Sequence, residues 1–127
     1  MRNAVLIVDD ASSCSATLEI ALEQIPDLEI RRASNGRTAL EVLESSPVAA
    51  VLTDLHMPQI DGFDLIRRIR ANPELSGLPI IVLSGDSDPS TPDLVRELGA
   101  SAYFTKPYSP AAVRAAVEQF LHLDSPR

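Results

Sequence analysis

Cysteine is almost absent: Cys14 stands alone in 127 residues, so no internal disulfide can form, and no Cys or His cluster has zinc spacing. Cys14 itself reads as a packing residue rather than a reactive thiol. Basic residues are scarce as well, 11 Lys and Arg against 18 Asp and Glu, for a formal charge of −7. That deficit argues against direct contact with nucleic acid or an anionic membrane surface. No apolar run approaches the ~20 residues of a membrane span, and the short apolar stretch after Met1-Arg2-Asn3 is too brief for a signal peptide. No internal repeat or linker interrupts the chain. What is present is 45% hydrophobic and 23% charged residues, enough for one globular domain with a real core. The expected setting is cytoplasmic.

The hydrophobic pattern alternates between two periods. Ala4 to Val8 is a continuous apolar run ending in Asp9-Asp10, which suits a strand buried on both faces. Leu18, Ala21, Leu22 and Ile25 then share one helical face, closed by Pro26. Leu28 to Ala33 reads as a polar edge strand. Asn35-Gly36 opens a helix bearing Ala39, Val42 and Leu43, which Ser45-Ser46-Pro47 ends. A third strand, Ala49 to Thr53, stops at Asp54. Asp61 then caps a helix with Leu65, Ile66 and Ile69 inward, and Arg67, Arg68 and Arg70 read as complementing the charge of its C-terminal end rather than binding anything. Pro79 to Leu83 forms a fourth strand ending at Ser84-Gly85. Thr91 is expected to cap a short helix with Pro92 at its first position, and Gly99 stops it. Ser101 to Thr105 is a fifth strand, and Ser109-Pro110 starts a last helix carrying Val113, Ala116, Val117, Phe120 and Leu121.

Five such units predict an α/β fold, doubly wound, with a five-stranded parallel sheet and helices on both faces. The most apolar strands, 1, 3 and 4, belong in the centre, giving the flavodoxin-like order 2-1-3-4-5. The domain is expected to span 1–123, with 124–127 as a short tail or linker stub.

Ligands of such sheets bind beyond the carboxyl ends of the strands. Asp9, Asp10, Asp54, Ser84 and Lys106 all fall there. Three neighbouring carboxylates repel one another unless a cation intervenes, and an oxygen-only donor set open to solvent favours Mg2+, with Mn2+ as an acceptable substitute. Asp54 can then attack phosphorus without a general base, while Lys106 and the Ser84 hydroxyl serve the phosphoryl oxygens.

These residues carry a resemblance. Leu6-Ile7-Val8-Asp9-Asp10, Leu52-Thr53-Asp54-Leu55-His56-Met57-Pro58-Gln59-Ile60-Asp61-Gly62, Ile81-Val82-Leu83-Ser84-Gly85 and Tyr103-Phe104-Thr105-Lys106-Pro107-Tyr108 make the chain similar, over residues 4–122, to receiver domains of bacterial two-component response regulators. The resemblance implies that Asp54 accepts a phosphoryl group from a histidine kinase or phosphotransfer protein. It implies that Asp10, Asp54 and the His56 backbone carbonyl bind Mg2+ directly, with Asp9 acting mainly through water. Ser84 and Tyr103 would be the switch residues, helix 4, strand 5 and helix 5 the output face, and Lys106-Pro107 a peptide bond that is often cis. The output would be a downstream protein or an effector domain, and a homodimer formed on phosphorylation is compatible with this role. The only chemistry expected is self-phosphorylation from a donor and autodephosphorylation.

Plainer readings stand beside these. Asp9 and Asp10 could simply cap a helix, and Tyr103 could simply pack on an edge strand. The His56 side chain and Asp86 are candidates for tuning the phosphoryl lifetime, or else loop polarity. A Mg2+-dependent phosphohydrolase would want Asp-x-Asp after the first strand, which Val8-Asp9-Asp10-Ala11 lacks. A flavodoxin-like cofactor binder would want a Ser/Thr/Gly phosphate loop where two aspartates stand. A phosphorylation-independent adaptor is the remaining alternative.

Overall fold

The structure, a computed structural model, describes residues 3–9, 12–56, 60–85 and 88–124, and the side chains of all of these except 12–16 and 122–124. Strands β1 (Asn3–Val8), β2 (Leu28–Ala33), β3 (Ala50–Thr53), β4 (Ile80–Ser84) and β5 (Ala102–Thr105) alternate with helices α1 (Ser12–Leu22), α2 (Gly36–Ser45), α3 (Gly62–Ala71), α4 (Thr91–Leu98) and α5 (Pro110–Asp124). All pairings are parallel and the order is β2-β1-β3-β4-β5, as the strand composition predicts.

Strand side chains alternate between the two faces, and each face has its own core. Leu6, Val8, Val51, Ile80 and Val82 meet Ala39 and Leu43 of α2, Leu65, Ile66 and Ile69 of α3, and Val95 of α4. On the other face Val5, Ile7, Ala50, Leu52, Ile81 and Leu83 meet Leu18 and Leu22 of α1 and Val113, Val117 and Leu121 of α5. The central strands β1, β3 and β4 are thus buried on both sides, whereas β2 and β5 are only partly buried, as edges are.

Three local differences from the sequence pattern have physical causes. Ile25 has helical spacing, yet α1 ends at Leu22 and Ile25 is buried in the following turn, because Pro26 disfavours helical geometry in the residue before it. Thr91 is the first residue of α4 rather than its cap; Ser90 holds the cap position without a side-chain bond into the helix. The turn into α4 is built by Asp88 instead, whose Oδ1 accepts from the Ser90 amide at 2.9 Å and the Ser90 hydroxyl at 2.8 Å. Finally, α5 continues through Asp124, one residue into the expected tail.

Arg70 does more than complement the end of its own helix. Its Nε and Nη2 donate to the Gly99 carbonyl at 3.0 and 2.8 Å, and Nη1 donates to the Ser76 carbonyl at 2.9 Å. Gly99 ends α4 with φ of 120°, and a β-carbon there would lie 2.8 Å from Arg70 Cγ. The guanidinium therefore clasps α3, the 72–79 loop and the end of α4 together. Its burial lowers its pKa from the ordinary value, with no competing cause. Arg70→Met is expected to cost about 1 to 2 kcal/mol, as two charge-assisted bonds to the partly buried Gly99 carbonyl and an exposed one to Ser76 are lost. Urea unfolding should show a lower midpoint at unchanged slope; an unmoved midpoint would mean that water serves those carbonyls equally well.

Candidate functional site

The register of the sheet sets the site. Val8 pairs with Thr53, so the residues that follow them, Asp9 and Asp54, leave adjacent strands side by side. The Asp54 amide donates to the Val8 carbonyl at 3.1 Å, and the Asp9 amide to the Ala33 carbonyl at 3.0 Å. At the other side Ser84 pairs with Thr105, and the Lys106 amide donates to the Ser84 carbonyl at 2.8 Å. Lys106 is thereby aimed back along the rim. Its Nζ reaches Asp54 Oδ2 at 2.8 Å. Asp9, Asp54 and Lys106 line one small hollow whose walls are Ile7, Val8, Leu18, Leu52, Leu83 and Tyr108.

Asp54 is held on both oxygens. Oδ2 meets the ammonium, while Oδ1 accepts from the Leu55 amide at 2.7 Å and, more weakly, from the His56 amide at 3.4 Å. Its side chain is 14% exposed and that of Lys106 23%, so the pair is shielded yet reachable. Leu55, fully buried beside it, anchors the turn in the core; burying a leucine is worth about 1.5 to 3 kcal/mol. Thr53 and Ser84 are also buried, and the Thr53 hydroxyl donates to the Asp54 carbonyl at 2.8 Å.

The loop after Asp54 closes where the Gly62 amide donates to the Leu55 carbonyl at 2.8 Å, and Asp61 caps α3 by accepting from the Asp64 amide at 2.9 Å. Gly62 lies against this backbone. A β-carbon on it would collide with the Asp54 carbonyl and come within 2.6 Å of Leu55 Cα. Sequence reasoning used Asp61 as a cap but missed Gly62 and Thr53. The Asp-Gly pair at a helix start was the available signal for the first; nothing marked the second.

Of the sequence-predicted residues, Asp9, Asp54 and Lys106 come together and Ser84 adjoins Lys106 through its backbone. Asp10 and Asp86 lie outside the described residues. The exposed His56 ring meets the Phe63 ring edge-on at 6.4 Å. Tyr103 stands apart, half-buried on β5 in a second hollow with Pro92, Val95, Arg96 and Ala100. Lys106-Pro107 is cis. Among the described residues no group of three acidic, His or Cys side chains forms a metal cage. The described donors at the rim, carboxylates and main-chain carbonyls, are hard oxygens suited to a cation such as Mg2+.

The chain matches the response regulator receiver domain model over residues 5–118. It belongs to that family. This receiver domain is 37% identical over 117 residues to a Vibrio cholerae protein named probable cyclic di-GMP phosphodiesterase, covering 92% of this chain and 26% of that one. It is 30% identical over 114 residues to the probable chemotaxis protein CheY of Rhizobium etli, covering 90% and 88%. A crystal structure of a response regulator receiver protein from Pseudomonas putida superposes with a TM-score of 0.85 at 32% identity, covering 94% of this chain and 98% of that one. The chain spans 26% to 56% of the length of the first three curated relatives it matches, so a receiver domain is often one part of a longer protein. Receiver domains are in general phosphorylation switches of two-component signalling. None of the described helices is long and apolar enough to cross a membrane.

Proposed function

We propose that Asp54 is the phosphoacceptor of a signalling switch, and the observation that carries this reading is the 2.8 Å pairing of its carboxylate with Lys106 in the hollow that Asp9 also lines. A carboxylate oxygen of Asp54 forms a bond to phosphorus as the phosphorus–nitrogen bond of a donor phosphohistidine breaks. Lys106 then turns from Asp54 to the phosphoryl oxygens, where its charge offsets the developing negative charge, and the Ser84 hydroxyl donates to them. Asp10, Asp54 and the His56 carbonyl, with Asp9 mainly through water, are the groups that would hold Mg2+, which when bound screens the carboxylates from the incoming dianion.

The switch itself follows from charge. Phosphorylation adds up to two negative charges beside Lys106. Moving a two-state equilibrium from 1:99 to 99:1 takes about 5.5 kcal/mol of differential stabilisation, which a few charge-assisted hydrogen bonds supply. Ser84 shifting toward the phosphoryl group and Tyr103 turning further inward would carry that difference to the face of α4, β5 and α5. The donor is a histidine kinase or phosphotransfer protein, and the recipient a downstream protein or an effector domain. The proposed extent is 1–123 with 124–127 as tail or linker, and the proposed setting is the cytoplasm. His56 and Asp86 are the proposed modulators of phosphoryl lifetime.

Incubation with acetyl phosphate and Mg2+ tests this reading. Intact-mass measurement should show one added phosphoryl group that survives acid and is released by hydroxylamine. Failure to incorporate any phosphoryl group from acetyl phosphate or another small donor would leave the adaptor reading, and sustained turnover of a phosphate ester would favour the phosphohydrolase.

A further inference from the structure

The loop that follows Asp54 is also held from α2, and through a glycine. Gly36, the first residue of that helix, is buried, and a β-carbon placed on it would lie 2.6 Å from the Ile60 carbonyl oxygen and 2.9 Å from both Ile60 Cβ and Cγ2. Atoms so placed cannot coexist, so something must shift. The helix side of the joint is firmly held: Asn35 Oδ1 accepts from the Thr38 amide at 2.8 Å, and Ala39 and Leu43 are buried in the core. The loop side is short, because Leu55 and Gly62 are already tied together by a 2.8 Å hydrogen bond and Gly62 abuts the Asp54 backbone.

We propose that Gly36 is a positioning residue for the phosphoacceptor loop: the absence of its side chain seats Ile60 against α2 and so sets where the segment from Asp54 to His56 presents its carboxylate and carbonyl. A side chain at 36 pushes Ile60 outward. The Leu55–Gly62 tie passes the displacement back to the residues flanking Asp54. This inference rests on the metal-assisted reading of Asp54 above for its effect on Mg2+, but the joint itself exists without any ion.

The test compares Gly36→Ala with Val117→Ala, a change at a fully buried position of α5 in the core on the opposite face of the sheet, which destabilises without altering the cluster against which Ile60 packs. Gly36→Ala is expected to weaken Mg2+ binding about tenfold in calorimetric titration, the lower end of what loss of a supporting residue behind metal ligands costs. In the metal-free protein it should speed hydrogen exchange at the Gly62 amide severalfold more than at core amides. Val117→Ala should lower thermal stability while leaving Mg2+ affinity and the Gly62 exchange, relative to the core, as in the unaltered protein. Ile60→Ala removes Cγ2 from the joint without crowding it and should move both readouts in the same direction as Gly36→Ala, so the comparison survives if Gly36→Ala does not fold. Wild-type affinity and exchange in Gly36→Ala or in Ile60→Ala, or equal losses in Val117→Ala, would overturn the role of Gly36. An unaltered protein that binds no Mg2+ would instead overturn the metal-assisted reading, with exchange in the metal-free form still deciding the joint.

Discussion

Asp54→Asn is expected to take up no phosphoryl group from acetyl phosphate and Mg2+ under conditions that phosphorylate the unaltered protein. The carboxamide has nearly the same shape and keeps an oxygen able to accept from the Leu55 amide, now at 2.7 Å from Oδ1. The turn should therefore hold and the fold persist. What is lost is the charged oxygen that attacks phosphorus, and with it the ion pair to Lys106. A neutral amide is not a nucleophile of comparable strength, so the expected change is from complete modification to background in an intact-mass time course. Circular dichroism should match the unaltered protein. Equal incorporation by the variant would move the acceptor elsewhere, with Asp9 in the same hollow the first candidate.

Lys106→Ala separates two roles that share one cavity. The ammonium sits 2.8 Å from the carboxylate it would have to leave, so it both restrains Asp54 before reaction and offsets charge on the phosphoryl oxygens during it. Losing one such donor in a shielded site slows reaction by about 100-fold or more. Phosphorylation by acetyl phosphate should slow by that order at saturating Mg2+. Mg2+ affinity should hold or rise, because a positive charge in the same cavity repels a cation; two unit charges at a separation of about 4 Å repel by about 1 to 4 kcal/mol, depending on the local dielectric. Lys106→Arg should not restore the rate, since a planar guanidinium cannot occupy the place of a compact ammonium. An alanine variant that reacts as fast as the unaltered protein would remove Lys106 from the chemistry.

The sheet and much of the site were legible because they depend on residue type at strand ends. Apolar runs closed by Asp9 and Asp54 announced buried parallel strands with carboxylates at one rim, and the structure sets these two in a common hollow with Lys106. Register was not legible. Only the pairing of Val8 with Thr53 and of Ser84 with Thr105 makes those strand ends meet. Nor were contacts made by absent atoms: Gly36 and Gly62 look like ordinary helix-start glycines until Ile60 and the Asp54 backbone are found against them. Arg70 was misjudged for a related reason. A basic residue at a helix end satisfies a local rule, whereas its carbonyl partner at Gly99 lies 29 residues away in the chain.

The Arg70 clasp also shows how the molecule divides its labour along the strand axis. It ties segments 72–79 and 99–101, which feed the strands at their amino ends, and the guanidinium grips main-chain oxygens alone. The exposed Ser76 side chain can therefore vary without loosening it, whereas Leu75 and Ala100 pack against the core. That pole is the place to attach a fluorophore or graft a loop for reporting on signalling, since a reporter there sits a full strand length from the reactive rim and leaves its acidity, shape and access as they were.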